Sequence, residues 1–443
     1  MKFGGSSLAT AANIQHCASL VKKGASAVVV SAMGGTTDQL LELADSPKED
    51  SLWKALQSNH EEAAKELGTD VSPLLDQLQH LLLGISAVGE LTLRSKDLVL
   101  SFGERLSSKL FVAALAKEGL EARAMTGGEA GIVTDDRFGE ATPLMNISLY
   151  QLKERLGSGT LPVITGFLGA TQHGVTTTIG RGGSDYTATL VGAALEADEI
   201  WIWSDVDGLL SADPRIVPEA SLLTEVSCAE AIEMGQFGAK SMHPRALEPA
   251  AEKGIPVRIR NTFHPEIEGT LIKPDTEEKG TRSVNLVNDA ALITIEGAAM
   301  VGHPGTAGRV FQALGSAGIN IRMISQSVSE AGISLAISKR YLGEARAVLE
   351  SELLRKGNAR RIHVEEEISI VAIVGAEMQG KAGVAADVFG AVAEHDINIR
   401  AIAQGSSELS ISFIVPRSSG SEAVKALHKK FGPRHEKPLP NDF

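Results

Sequence analysis

Cysteine is nearly missing from this chain. Its 443 residues include two, Cys17 and Cys228, far apart and with no ligand partner at metal spacing. That argues against a disulfide scaffold and a structural zinc site and points to a reducing, cytoplasmic setting. Three Trp and three Tyr are too few for the stacking platforms that hold single-stranded nucleic acid. Positive charge is short as well: a formal net charge of −13 leaves no broad basic surface for nucleic acid or an anionic membrane, so a few local cations must hold any anionic substrate. No apolar run reaches membrane-spanning length, and Met1-Lys2-Phe3-Gly4-Gly5 offers no cationic leader before an apolar segment, so neither a membrane span nor a signal peptide is expected.

What is present is a long, ordinary globular composition, 43% hydrophobic and 22% charged, too long for one core and expected to divide into several units. The stretch that organises it is Thr176-Thr177-Thr178-Ile179-Gly180-Arg181-Gly182-Gly183-Ser184-Asp185. Three hydroxyl residues end a hairpin, two glycines turn the backbone, and a helical run from Tyr186 to Glu196 follows. Free N–H groups at a helix start favour an anion, and Arg181 adds a planar fork for a carboxylate or phosphate. The plainer alternative is a tight turn with Ser184 or Asp185 as N-cap.

Upstream, Met1 to Phe3 ends a strand, Gly4-Gly5-Ser6-Ser7 turns into a helix from Thr10 to Lys23, and Ala27 to Ser31 reads as a buried strand before Met33-Gly34-Gly35-Thr36-Thr37-Asp38 and another helix. Strand, glycine turn, helix, repeated, predicts a parallel sheet between helices, with ligands beyond the carboxyl ends of its strands. Two polar helices, Asp50 to Gly68 and Pro73 to Leu83, follow. A longer one runs from Lys96 to Lys117, with Leu98, Phe102, Leu106, Leu110 and Phe111 as its buried stripe. Glu104 lies beside that stripe, where it wants a cationic partner or pairs on the surface with Arg105 or Lys109. Further strands are expected at Glu121 to Met125, Leu161 to Phe167, Glu199 to Trp203 and Pro256 to Arg260. His243 before Pro244 reads as a structural helix-start residue. From Glu266 to Arg282 the chain turns charged with no apolar period, and the domain boundary is placed there.

Beyond it, Gly297, Met300, Gly302, Gly305, Ala307, Val310 and Ile319-Asn320-Ile321-Arg322 recur at Gly375, Met378, Gly380, Gly383, Ala385, Val388 and Ile397-Asn398-Ile399-Arg400, always 78 residues on (375 − 297). Such gapless self-similarity marks an internal repeat. Each copy reads strand, glycine loop, helix, strand, turn, strand, which predicts a small sandwich with helices on one face of an antiparallel sheet.

Taken together and in order, Lys2-Phe3-Gly4-Gly5-Ser6-Ser7, Ser31-Ala32-Met33, Ser101-Phe102-Gly103-Glu104, Thr178 to Asp185, Trp203-Ser204-Asp205-Val206, Asp213-Pro214-Arg215 and Phe237-Gly238-Ala239-Lys240 resemble an aspartate kinase over essentially the whole length. The resemblance implies a three-layer αβα amino-acid-kinase domain at 1–275 with a mostly parallel sheet, and two C-terminal α+β, ferredoxin-like ACT domains. These would occupy 289–358 and 359–443, with 276–288 as linker and strand. A monofunctional member is expected, with no homoserine dehydrogenase domain after them. It further implies that the first copy is inserted within the second, Ser283 to Val287 completing the latter's sheet.

Carried over residue by residue, Lys2 and Lys240 correspond to phosphate-binding lysines and Asp185 to the carboxylate that organises them. Arg181 would read a carboxylate of aspartate and Glu104 its ammonium, with Thr36, Gly182, Gly183 and Ser184 completing the substrate site. Phe3, Gly4, Gly5, Ser31, Ser204, Asp205 and Arg215 match nucleotide-binding positions. In the ACT pair, Met300, Gly302, Gly305, Thr306, Ala307, Asn320 and Gln326 would bury an amino-acid effector, lysine or threonine, across a homodimer interface. The implied reaction is ATP-dependent phosphorylation of the aspartate β-carboxylate, the first step towards lysine, threonine and methionine. Mg²⁺ would arrive with ATP and no protein side chain is assigned to it. Ser7 and Ser204 stand where the family has threonine, Leu210 where it often has a tyrosine near the base, and the first strand begins abruptly at Met1.

Overall fold

The computed structural model describes residues 1–21, 24–157, 159–237, 242–275, 283–297, 305–329, 331–355 and 359–432. They form two compact units.

The first unit is built on an eight-stranded sheet. Its order is Ala122–Met125, Leu161–Thr165, Val28–Val30, Lys2–Phe3, Ile200–Ser204, Val257–Asn261, Thr270–Lys273 and Glu225–Ser227. All neighbours are parallel except Val257–Asn261 against Thr270–Lys273. The central strands are short apolar runs such as Val28-Val29-Val30, as befits strands covered on both faces. The helices Ala11–Val21 and Leu93–Lys117 share one core with Phe3, Val28, Val30 and Trp203. The Gly183–Ala194 helix, buried along nearly its whole length, also lies against the Lys2–Phe3, Val28–Val30 and Ile200–Ser204 strands. Three layers result. A small sheet of Val133–Thr134, Leu168–Thr171 and Thr176–Thr178 lies beside them.

Leu98 departs from the expected stripe of the Leu93–Lys117 helix: it is 37% exposed, and Val99 is fully buried in its place. The Ser72–Val88 helix also outruns its expected end at Leu83, because Leu82 and Ile85 continue its buried face to Gly89. Thr270–Lys273 is a sheet strand inside the stretch read as featureless. Its alternating burial gives it one covered face.

The second unit holds both repeat copies as four-stranded antiparallel sheets. One has the order Ile321–Gln326, Gly332–Ile337, Ala291–Glu296, Arg361–Glu365. The other runs Ser283–Val287, Ile368–Val374, Ser410–Pro416, Ala401–Gln404. Val284 pairs with Ile373 and Leu286 with Val371, so the chain lays down an edge strand of the second copy before it builds the first. The first sheet packs against the Thr306–Ser316 and Leu342–Leu349 helices through Ile293, Ile295, Val310, Leu314 and Leu349.

Two boundaries move. Arg361–Glu365 pairs with Ala291–Glu296, so the first copy extends past 358 to about Glu365. The first unit is also not continuous to 275, because Leu210–Leu223 and Ala229–Lys240 belong to the second. Ala212, Val217 and Ala220 are buried in one core with Val371, Phe413 and Val424. Ser211 Oγ lies 2.9 Å from His428 Nε2 in a buried hydrogen bond.

Candidate active site

The carboxyl ends of the parallel strands and the Gly-rich turns that follow them enclose a cavity of about 380 Å³ in the first unit. Lys2 reaches it from the end of the first strand, with its Nζ 2.6 Å from Asp185 Oδ1. Asp185 lies in the first turn of the Gly183–Ala194 helix. The two side chains are 10% and 18% exposed, so each is the neutralising partner of the other in a partly desolvated setting.

Glu104 enters from the middle of the Leu93–Lys117 helix. It is 3% exposed; its Oε1 accepts the Ala32 N–H at 3.2 Å, and among the described residues its Oε2 has no partner. Burial pushes its carboxyl up to about 8, against the pull of the Ala32 amide. The surface pairing with Arg105 or Lys109 weighed above does not form: the Arg105 guanidinium lies over the Phe102 ring at 4.3 Å and donates to Gln77. Thr36 is fully buried, its hydroxyl also without a described partner, and Gly35 and Thr37 on either side line the cavity. A carboxyl oxygen left unsatisfied at an occupiable space is a receptor for a hydrogen-bond donor.

The Gly180–Asp185 turn closes the opposite side. Gly182 is the N-cap of the helix at φ +70°, and no side chain caps it. A Cβ at Gly182 would stand 2.4 Å from that of His243, the residue that precedes the Pro244–Leu247 turn. Neither Ser184 nor Asp185 is the N-cap; both lie inside the first turn and line the cavity with Gly182 and Gly183. Arg181 is exposed between two lining glycines.

Of the nucleotide-side positions, Gly5 and Ser31 line the cavity with Lys2. Gly5 is needed for close approach, since a Cβ there would meet the Ala32 carbonyl oxygen at 3.0 Å. Gly4 donates its N–H to the Trp203 carbonyl at 3.1 Å. The Phe3 ring is wholly buried, stacked 6.1 Å from Trp203, which leaves only its backbone to face a nucleotide. Ser204 and Asp205 lie at the same sheet edge one strand over and are bonded to each other. Arg215 belongs to the second unit, its guanidinium held by Asp213 at 2.6 Å. Lys240, Met300 and Gly302 lie outside the described residues. In the first repeat copy, Gly305 caps the helix that Thr306 and Ala307 begin, Asn320 is exposed just before the Ile321–Gln326 strand, and Gln326 ends it.

Three residues escaped the sequence reading. Asp38 and Phe167 line the cavity, and Phe167 holds φ +65°, a left-handed conformation costly for a bulky residue, with its carbonyl accepting the Ile179 N–H at 2.9 Å. Asp97 accepts hydrogen bonds from Thr178, at the end of the strand leading into the turn, and from Gly139. Asp38, in the first turn of the Thr36–Asp45 helix, and Phe167 lie beside glycines that could have flagged them; nothing local marks Asp97. A larger hollow of about 700 Å³, lined by Arg105, Lys109 and Arg155 among others, also opens in this unit. Two of those cations are engaged, Arg105 by Gln77 and Arg155 by the Gly128 and Glu129 carbonyls.

A parallel sheet between helix layers, with a lysine, a helix start and a buried carboxyl around one cavity at the strands' carboxyl ends, has the architecture of an α/β domain that binds small anions, and the second unit holds a pair of α+β repeats. Comparison with known proteins agrees. Residues 1–261 match the amino acid kinase family, and residues 293–353 and 371–431 match the ACT domain. The chloroplastic aspartokinase 1 of Arabidopsis thaliana is 35% identical, the match covering 97% of this chain and 79% of the relative. A bifunctional aspartokinase/homoserine dehydrogenase of Zea mays is also 35% identical, but this chain spans only 50% of its length. Among solved structures, E. coli aspartokinase III in complex with aspartate and ADP superposes with a TM-score of 0.83 at 31% identity, covering 97% of this chain and 98% of that one. The same enzyme with lysine and aspartate gives 0.80. The chain belongs to the aspartokinase branch of the amino acid kinase family.

Proposed function

We propose that this protein transfers the γ-phosphoryl group of ATP to the β-carboxylate of L-aspartate. An oxygen–phosphorus bond forms at the carboxylate as the bond to the departing ADP breaks. The observation that carries the reading is the pairing, across one cavity, of the Lys2–Asp185 ion pair with the buried, half-satisfied Glu104. The attacking carboxylate has an ordinary pKa of about 3.9 and is already ionised at neutral pH, so no general base is required. What the site must supply is relief of repulsion between two anions and their in-line placement. Lys2 supplies positive charge at the reacting end, and Lys240 is assigned the same task by its motif. The first-turn amides of the Gly183–Ala194 helix add aligned dipoles.

Glu104 and Arg181 are assigned the two charged groups of aspartate that do not react, with Thr36 and Ser184 adding hydrogen bonds. The nucleotide is assigned to Gly4, Gly5, Ser31, Ser204 and Asp205, all in the first unit. Mg²⁺ would reach the site bound to ATP, its phosphate oxygens providing most ligands. Among the described residues no group of three His, Cys, Asp or Glu side chains is placed to hold a metal ion, and Asp185 is the carboxylate closest to the phosphate-binding lysine. No described helix is long and apolar enough to cross a membrane; a cytoplasmic setting is part of the proposal, supported by two buried, unpaired cysteines.

The paired repeats are assigned a lysine or threonine effector held by the Gly305–Ala307 turn and the Asn320–Gln326 segment, with a second copy of the chain completing the site. Exposed Ile324 and Ile402, at 46% and 44%, support such a partner. A kinase of N-acetylglutamate is disfavoured because an N-acylated substrate has no ammonium for Glu104. A catalytically silent sensor is disfavoured by the retention of Lys2, Asp185 and Lys240.

The test is a coupled ADP-release assay on L-aspartate, L-glutamate and N-acetylglutamate, each with and without millimolar lysine and threonine. Turnover with aspartate alone, lowered by at least one effector, is expected. Equal or faster turnover of either other substrate overturns the substrate assignment, and indifference to both effectors, singly and together, overturns the regulatory one.

A further inference from the structure

Asp97 is a buried carboxylate to which the reaction as described gives no task. It lies near the start of the Leu93–Lys117 helix, 1% exposed, and accepts three hydrogen bonds. Its Oδ2 takes the Thr178 N–H at 2.9 Å and the Gly139 N–H at 3.0 Å, and its Oδ1 takes the Thr178 hydroxyl at 2.8 Å. Burial raises its pKa while these three donors pull it back. Bonds from neutral donors to a buried carboxylate are shorter and stronger than neutral pairs.

The placement of those donors gives the contact its meaning. Thr178 is the last residue of the strand that runs into the Gly180–Asp185 turn. Gly139 belongs to the loop on which the turn rests: a Cβ at Gly180 would meet the Gly139 carbonyl at 3.5 Å and Glu140 at 3.4 Å. The Thr178 carbonyl in turn accepts the Ala141 N–H at 2.8 Å. The strand that enters the turn and the loop beneath it are therefore tied to one carboxylate. That carboxylate is seven residues, two helical turns, before Glu104, so the two project from nearly the same face of one helix. One rigid helix thus holds Glu104 at one end of the cavity and, through Asp97, the loop of Arg181 at the other.

We propose that Asp97 is a positioning residue which fixes the distance between the Glu104 and Arg181 ends of the substrate site, and so sets recognition of the amino-acid substrate rather than of the nucleotide. This rests on the substrate assignment above. Asp97 touches neither substrate nor reacting atoms; it acts through Thr178 and Gly139.

The test compares wild type, Asp97→Asn and Thr178→Val. Asparagine keeps the shape but removes the charge: its oxygen can face the two amides while its N–H₂ faces the Thr178 hydroxyl, so three charge-assisted bonds become neutral ones, and valine at 178 removes only the hydroxyl bond. In the full-length protein without ligands, amide hydrogen exchange over 178–185 should quicken in Asp97→Asn and less so in Thr178→Val, with exchange in the Ile200–Ser204 strand unchanged. In steady-state kinetics Asp97→Asn should raise the aspartate KM about tenfold or more, the scale of a lost hydrogen bond to a charged group, with the ATP KM changed less than about twofold. Thr178→Val should show a smaller shift of the same kind. Unchanged exchange at 178–185 overturns the positioning role, as does an equal rise of both KM values. If Asp97→Asn does not fold, Thr178→Val decides by the same readouts. Loss of the substrate assignment shows up separately, as absence of aspartate turnover in the wild type, and leaves the exchange measurement able to sustain or refute the tie.

Discussion

At the scale of single residues, Glu104 shows what a specific site costs. Its folded pKa of about 8 stands well above the ordinary 4.5, so the protonated form is the one the empty protein favours. The sign follows: the stabilisation from that form is complete below the unfolded pKa and is lost as pH rises through the folded one, at roughly 1.4 kcal/mol per pH unit between them. An ammonium substrate needs the ionised form. Below the folded pKa, binding must expel the proton, and the charged groups facing the same cavity, Lys2 with Asp185 and Asp38, complete the local balance. The aspartate KM should therefore fall as pH rises from about 6 to about 8. Glu104→Gln should flatten that dependence, raise the KM at the upper end, and stabilise the unliganded protein more at about pH 8 than at about pH 5. KM profiles and scanning calorimetry check both halves, and a wild-type KM flat over that range contradicts the assignment. The motif made Glu104 legible in the sequence. Its solitude was not, because whether a helical carboxylate finds a cation depends on how Arg105 is held, over Phe102 and against Gln77.

At the scale of elements, the Gly180–Asp185 turn works only because Gly182 lacks a side chain. A Cβ there meets His243 at 2.4 Å, and φ of +70° is a conformation that other residues adopt at a cost. Gly182→Ala should thus unseat either the turn or His243. It should lower stability by about 1–3 kcal/mol and cut activity on aspartate far more than that loss of folded protein explains. Denaturant unfolding beside kinetics at saturating ATP separates the two; wild-type activity and stability together would refute the packing argument. The turn was readable because glycine, hydroxyl and helix-forming residues lie consecutively. The same holds for Val28–Val30 and Ile200–Ser204, whose apolar runs are bounded by turn residues. Thr270–Lys273 was not readable, since four residues with one buried face carry no period that a charged flank does not mask. Nor was Arg361–Glu365, whose strand character comes from pairing with Ala291–Glu296, far away in sequence.

At the scale of the whole molecule, the units are interleaved in sequence: the chain leaves the first at Leu209, returns at Thr224, leaves again after Cys228 and re-enters at Ser241. Family motifs read in order place Asp213-Pro214-Arg215 with the kinase half, and no local pattern says that the residues around them are buried elsewhere. Yet Ala212, Val217 and Ala220 are 3%, 1% and 0% exposed within the core of the second repeat copy. Two carboxylates of the Cys228–Gln236 helix bond that copy as well, Glu230 accepting the Ala376 N–H and Glu233 the Ser410 hydroxyl, both at 2.8 Å. A chain cut after Thr276 keeps every residue assigned to aspartate but strands these groups in water. Exposing one buried valine forfeits about 1.5–3 kcal/mol, and the alanines and unpaired contacts add to it. Such a fragment should melt several degrees below the full chain and self-associate, and Val217→Thr with Ala220→Ser should restore part of its solubility without touching the substrate cavity. Scanning calorimetry and sizing by light scattering read this directly. A fragment as stable, as monodisperse and as active as the full chain would mean that the Leu210–Leu223 segment does not depend on the repeat whose core it enters.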